Sequence, residues 1–328
     1  MKIATNDLAE LCKSDNETGK LDVFSIEEAF KFCEKVAKGH YENFPVSSIL
    51  IPKNVRKHFY SIYAFSRVAD DIADEFIHKN GKNEALNLLE NYEKNLIELY
   101  FPKKNKSIEG NKNNSKNKIS NPIFLALNET IKKFNIPINP FKNLLKAFKT
   151  DINFQQPNDF TELFSYCENS ANPIGELLLR IFDEYNIITL NYSNNICTAL
   201  QLINFWQDLS VDLRQKRCYI PKSIIKKYFK NNFDFEVFAK NSNAKKEIKN
   251  IVSANKEAFN NIIKQICYRA EIAMKEGKKL LKYLKKNDAN SLRFKLELHL
   301  IIFGGEIILK KIKRKKEKIF YERVKIFW

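Results

Sequence analysis

Asp70 and Asp74 stand four residues apart in YAFSRVADDIADE, and Asp208 and Asp212 stand four apart in QLINFWQDLSVDLRQKRCYIP. On an α-helix, at about 100° per residue, each pair shares one face, its members about 40° apart around the axis and about 6 Å apart along it. Asn204 extends the second stripe to i, i+4 and i+8. Like charges at this spacing cost an isolated helix a few tenths of a kcal/mol, roughly 0.2–0.5, and aspartate is a weak helix former. Such pairs make most sense where a cation is held between them. The alternative is ordinary ion pairing, with Arg67 one turn before Asp70 or with lysines. The two segments lie 138 residues apart (208 − 70), enough for helices on facing walls of a bundle. Two half-sites of this kind suit Mg2+, which dehydrates reluctantly and is held by one or two carboxylates while phosphate oxygens complete its octahedron.

The rest of the chain favours helices. Only 8 glycines and 9 prolines occur in 328 residues, which leaves little material for tight turns or phosphate-cradling glycine loops. Apolar residues recur at helical spacing, as in Leu86, Leu89, Tyr92, Leu96 and Leu99 and again in Leu144, Leu145 and Phe148, and no strand-like alternation or internal repeat is evident. The expected class is all-α. Residues 103–121, KKNKSIEGNKNNSKNKISN, are polar and rich in lysine and asparagine, which predicts a disordered loop between helices. No stretch reaches the ~18 to 20 apolar residues of a membrane span, and the N-terminus lacks the apolar core of a signal peptide, so a cytoplasmic location is expected.

Six scattered cysteines without a CxxC pair and four histidines without HExxH spacing leave carboxylates as the metal-holding groups. The net charge of +17 raises nucleic acid as a partner, but the lysines are spread among asparagines rather than clustered, and a nucleic-acid role is not expected. The densest run, Lys310, Lys311, Lys313, Arg314, Lys315, Lys316 and Lys318, is either a solvated helical tail or a contact for anionic lipid headgroups, at about 1 kcal/mol per charge.

Both acidic segments resemble the two aspartate-rich motifs of the squalene and phytoene synthase family, in the family's order. Tyr63, Arg67, Asp70 and Asp74 match the first motif; Gln201, Asn204, Asp208 and Asp212, followed by Arg217 and Tyr219, match the second. HYENFP, from His40 to Pro45, is similar to the family's early substrate-entry segment, with Asn43 where many relatives carry serine, and YCENSANPIGELLL begins at Tyr166. The resemblance spans roughly residues 24–312. It implies a single large helical bundle of the isoprenoid synthase type around a central apolar cavity, preceded by an N-terminal extension (1–23) and followed by a basic C-terminal tail (313–328). It also implies Mg2+ held by Asp70, Asp74, Asp208 and Asp212, and a prenyl diphosphate as substrate. HYENFP, SANPIG and NFWQD look closest to the hydroxysqualene synthase branch, which takes presqualene diphosphate. Enzymes that couple two prenyl diphosphates usually carry arginine just before the second motif's first aspartate, where this chain has Gln207.

The chemistry of such a substrate is heterolysis of a carbon–oxygen bond with loss of diphosphate, so the site must stabilise a leaving group of about −3 charge. Arg67 and Arg217 could donate forked hydrogen bonds to its oxygens. Phe44, Tyr63, Tyr166 and Phe205 are candidates for aromatic cavity walls that shelter the cation, and Asn172 and Gln207 for orienting the water that captures it, the alternative for both being a satisfied buried amide. His40, Asn43, Gln201 and Tyr219 complete the expected substrate contacts. Three functions are in view: hydroxysqualene formation; a coupling synthase making presqualene diphosphate, squalene or phytoene from farnesyl or geranylgeranyl diphosphate; and a basic helical protein binding membrane or nucleic acid, which would leave the paired aspartates unexplained.

Overall fold

A computed structural model of the chain describes residues 5–12, 24–39, 51–102, 119–229, 233, 235, 237, 238, 245–285 and 289–325. Among the described residues every regular element is a helix, as the sequence leads one to expect. The contacts divide into two compact units, Met1–Asn153 with Arg180–Asp183, and Phe154–Leu179 with Glu184–Trp328.

The first unit holds α1 (Thr5–Leu11), α2 (Ile26–Gly39), α3 (Lys53–Asp71), α4 (Lys82–Tyr100), α5 (Pro122–Phe134) and α6 (Asn139–Ile152). Helix α2 starts at a capping box, in which the Ser25 backbone N–H donates to Glu28 Oε2 at 2.8 Å and the Glu28 N–H donates to Ser25 Oγ at 3.2 Å, satisfying two donors that a helix start leaves open. Its stripe of Ala29, Phe30, Cys33, Val36 and Ala37 is buried. Helix α5 is capped by Asn121, whose Oδ1 accepts from the N–H groups of Ile123 and Phe124, with Pro122 at the first turn, where its missing donor costs nothing. The core of this unit forms around Phe65 of α3, stacked on Tyr92 at 5.1 Å and edge-on to Phe124 and Phe141 at 6.1 and 5.3 Å. Leu89, Tyr92 and Leu96 are fully buried, so the helical spacing read from the sequence marks the packed face of α4. Residues 5–12 of the N-terminal extension join this unit. Leu8 and Cys12 are buried, and Asn121 Nδ2 donates to the Leu11 carbonyl. Of the loop expected at 103–121, residues 103–118 lie outside the described residues.

The second unit holds α7 (Phe160–Ser170), α8 (Asn172–Ile181, as far as Leu179), α9 (Ile187–Asp212), α10 (Lys222–Tyr228), α11 (Lys245–Ala254), α12 (Lys256–Gly277) and α13 (Ala289–Lys315). Helix α9 is the axis of this unit, contacted by α7, α12 and α13. Its start is fixed by reciprocal hydrogen bonds between Asn186 and Thr189. At Gly277 the last turn of α12 meets α9 so closely that an added Cβ would lie 2.7 Å from the Ile196 backbone nitrogen; only glycine fits there without moving a helix. The boundary expected after residue 312 is not a break. Helix α13 runs through it to Lys315, and Lys316, at φ 54, starts a 3-10 turn that buries Ile319, Phe320, Tyr321 and Val324. The cations Lys310, Lys313, Arg314, Lys316 and Lys318 stay exposed, while the apolar residues at 319–324 anchor the segment that follows them.

One buried ionisable group in the first unit couples stability to pH. His58 is 2% exposed, lies edge-on to Phe30 and Phe134 at 5.2 and 5.0 Å, and its Nδ1 is 2.9 Å from Thr130 Oγ1. Burial, then the charges of Lys133 and Lys57, push its pKa down from 6.5 to about 4. The folded state thus binds fewer protons than the unfolded chain between those values, so the neutral imidazole's contribution is full above pH 6.5 and is lost as pH falls through 4. Urea unfolding of wild type and His58→Gln at pH 7.5, 6, 5 and 4 is expected to show the wild type losing stability relative to the variant by up to about 1.4 kcal/mol per pH unit below 6.5, a difference in which the other groups titrating over this range cancel. A wild-type slope matched by the variant would rule His58 out as its source.

Candidate active site

On α3 the residues of the first motif form the half-exposed edge of an otherwise buried helix. Val68, Ala69 and Phe65 are buried, whereas Tyr63, Arg67 and Asp70 are partly exposed and Asp74 is exposed. The helix does not continue as a plain α-helix through the motif. Residues Ile72–Phe76 form a π turn, a geometry that recurs at functional sites, and Asp74 sits inside it. The expectation of a uniform α-helical pair is corrected in this respect. One extra residue per turn alters the offset between Asp70 and Asp74, and the burial of Ile72, Ala73 and Phe76 holds the turn in place.

Arg67 is the hub of this edge. Its guanidinium lies 3.2 Å from Asp70, pairs with Asp71, and lies 4.0 Å from Glu75. Asp71, which sequence reasoning passed over, is 2% exposed; burial raises its pKa and the Arg67 charge and hydrogen bond oppose that rise. The Asp70 side chain keeps 38% of its exposure yet is crowded by protein, and desolvation, with the Asp74 carboxylate second, pushes its pKa up to about 7 against the pull of Arg67. Asp151 of α6 adds a further negative charge to this environment. Five acidic side chains, Asp70, Asp71, Asp74, Glu75 and Asp151, thus bear on one arginine-centred patch, an arrangement a cation would relieve.

On α9 the second motif forms a corresponding edge. Gln201, Asn204, Gln207, Asp208 and Asp212 are all partly exposed, while Leu202, Ile203, Phe205, Trp206 and Leu209 are buried. The spacing read from the sequence therefore puts Asn204, Asp208 and Asp212 on the one polar stripe of the unit's central helix. Beyond Asp212 the chain makes a 3-10 turn and reverses at Lys216, with φ 62. The reversal brings the Arg217 N–H to the Asp212 carbonyl at 2.8 Å and folds Tyr219 back over Phe205, where the rings stack at 3.8 Å and 12°. Tyr166 of α7 lies 5.9 Å from both rings. Two expected wall residues, Tyr166 and Phe205, thus form one aromatic group with Tyr219, expected as a substrate contact, and the structure adds Phe154, 5.0 Å from Tyr219.

Arg323 is the other residue the sequence reading missed. Its Nε and Nη2 fork onto the two carboxylate oxygens of Asp208 at 2.5 and 3.2 Å, a two-point pairing that Lys could not make. The same segment is clasped by Gln207, whose Nε2 donates to the Val324 carbonyl at 3.2 Å and whose backbone carbonyl accepts from the Val324 N–H at 3.3 Å. Asn172, 7% exposed, accepts from Thr198 Oγ1 at 3.0 Å. Both amides considered for orienting water thus have one side-chain atom engaged by a protein group, Asn172 through Oδ1 and Gln207 through Nε2. His40, Asn43 and Phe44 lie outside the described residues.

The donor set fits a hard divalent ion: each stripe offers carboxylate oxygens, with no thiol or imidazole among them. Among the described residues no three His, Cys, Asp or Glu side chains are grouped so as to hold a metal by themselves.

Residues 37–327 match the squalene/phytoene synthase family model, a span that takes in both acidic stripes and the segment carrying Arg323. The chain is 33% identical over 193 residues to a hydroxysqualene synthase of Zymomonas mobilis, covering 57% of this chain and 58% of that protein. It is 27% identical over 197 residues to a phytoene synthase of Mycobacterium bovis, covering 60% and 59%. The aligned portion thus spans less than two thirds of these relatives. Over the fold, the crystal structure of squalene synthase HpnC from Alicyclobacillus acidocaldarius superposes with a TM-score of 0.71 at 28% identity, covering 88% of this chain and 95% of that one. A dehydrosqualene synthase structure superposes at 0.64 with 20% identity, covering 89% and 88%.

The carboxylates of the first stripe divide by burial. Asp71→Asn removes the buried partner of Arg67 and is expected to cost about 2 to 3 kcal/mol, whereas Asp74→Asn, at an exposed position, is expected to stay within about 0.5 kcal/mol of wild type. Urea unfolding midpoints check both. Equal losses would show that Asp71 holds no special place in the packing.

Proposed function

The chain belongs to the squalene/phytoene synthase family, and from that premise we propose that it ionises presqualene diphosphate and captures the resulting cation with water, giving hydroxysqualene. The observation that carries this reading is the polar stripe of α9, where Asp208 and Asp212 are the partly exposed carboxylates of a helix otherwise packed in the core. A carboxylate stripe on a rigid, packed helix is preorganised, and its electrostatic effect on a departing anion needs no reorganisation at the moment of bond breaking. Gln207, standing where coupling enzymes of the family usually have arginine, and the 33% identity to a hydroxysqualene synthase favour water capture over coupling.

Asp70, Asp74, Asp208 and Asp212 would hold Mg2+, which when bound supplies Lewis-acid neutralisation of the diphosphate. The chain's own side chains do the rest. Arg217, fixed beside the end of α9 by its backbone bond to Asp212, donates to diphosphate oxygens, and Arg67 does so from its place between Asp70 and Asp71. The carbon–oxygen bond breaks with its electron pair leaving on the diphosphate. The faces of Tyr166, Phe205 and Tyr219 stabilise the cation and exclude stray bases, at roughly 0.5 to 2 kcal/mol for each well-placed ring. A water oxygen then forms the new bond and gives up one proton, so no redox cofactor enters. The basic run from Lys310 to Lys318 meets anionic lipid at a membrane surface, where a substrate and product of this kind reside.

Purified protein incubated with presqualene diphosphate, and separately with farnesyl diphosphate, with and without Mg2+, is expected to form hydroxysqualene only from the first and only with the metal. Asp208→Asn is expected to lower the rate by about 100-fold or more. Presqualene diphosphate or another coupled C30 product appearing from farnesyl diphosphate would replace this reading with a coupling synthase, and no turnover of either substrate would leave a non-enzymatic basic protein.

A further inference from the structure

Helix α13 buries one side, with Phe294, Leu298, Ile302, Gly305, Leu309 and Ile312 turned inward. Its outward side is not polar. Leu292, Leu296, Leu300 and Phe303 are 56%, 46%, 57% and 60% exposed, and at about 100° per residue they fall within an arc of about 80° over three turns. Lys310 lies eighteen residues after Leu292, and Arg314 eighteen after Leu296; that is about five whole turns, so the same stripe continues into two exposed cations. Three neighbouring cations are already committed: Lys313 to Glu271, Lys311 to the Lys325 carbonyl, and Lys315 to Glu322. Lys310 and Arg314 form no ion pair among the described residues.

A contiguous apolar stripe on an exposed helix face marks an interaction surface. We propose that this face of α13 docks on an anionic lipid bilayer, with Leu292, Leu296, Leu300 and Phe303 entering the headgroup–acyl boundary while Lys310 and Arg314 contact lipid phosphates. The inference narrows the membrane contact of the preceding section, on which it rests, from a basic run to one helix face with an apolar half. Charge selects the occupant. A second copy of a chain carrying +17 would oppose cations to cations or to leucines, whereas an anionic surface complements them and an acyl layer accepts the leucines.

The test is flotation with phosphatidylcholine vesicles and with vesicles containing about 30% phosphatidylglycerol, using the full chain without substrate, so that it reads independently of turnover. The wild type is expected to float with the anionic vesicles. The triple variant Leu296→Ser, Leu300→Ser, Phe303→Ser is expected to lose at least about tenfold in partitioning, and Lys310→Glu with Arg314→Glu a similar or larger factor, at about fivefold per charge removed. Lys142→Glu with Lys146→Glu on α6 is the control for charge alone and should lose much less. All substituted side chains are surface groups, and circular dichroism confirms folding. Loss on Lys310/Arg314 reversal with none on the triple serine variant would overturn the helix face and leave the basic-run reading standing. No flotation of wild type would overturn both, an equal loss in the α6 control would reduce binding to net charge, and dimerisation abolished by the serine variant would assign the face to a second copy.

Discussion

Carboxylates four residues apart on a helix repel one another, and burial sharpens that repulsion because the charged form loses its water. The chain places such pairs at the edge of α3, beside the packed Phe65 core, and on the polar stripe of α9, the axis of its unit. The raised carboxyl of Asp70 is the visible consequence of that placement. Stability alone gives no reason to keep these aspartates in register; the proposed cation and anionic substrate would supply one.

Each stripe also has a protein counter-ion standing in place. Arg67 spans Asp70 and Asp71, and Arg323 forks onto Asp208. These pairings differ in burial. Asp71 is locked inside, so its bond to Arg67 fixes the guanidinium's position. Asp208 and Arg323 are 20% and 46% exposed, where solvent screening leaves an ion pair weak enough to exchange partners. The segment that brings Arg323 there is held independently by Phe320, Tyr321 and Val324 and by the clasp with Gln207. Gln207 therefore has a structural task beside whatever it does for the reaction.

Much of this was legible in the chain itself. The spacing of Asn204, Asp208 and Asp212 is enough to place them on one face because α9 is a regular helix throughout. Tyr166, Phe205 and Tyr219, each singled out separately in the sequence, group because the turn after Asp212 is short. Three features could not be read from pattern. The π turn at Ile72–Phe76 depends on how α3 packs, not on any local residue preference. Asp71 is one residue from Asp70 in sequence, yet 100° around the helix that difference decides which carboxylate is buried. Arg323 lies 115 residues from Asp208 (323 − 208), inside a run whose lysines suggest solvent, and only the apolar residues at 319–324 hint that the end of the chain folds back.

The central claim is that these stripes bind a metal–diphosphate unit. Calorimetric titration of inorganic diphosphate into wild type, Asp70→Asn and Asp208→Asn, with and without Mg2+, tests it without reference to any prenyl chain. The account predicts wild-type binding that requires Mg2+ and falls by at least about tenfold in either variant. Metal-independent binding, or binding that survives both substitutions unchanged, would contradict it.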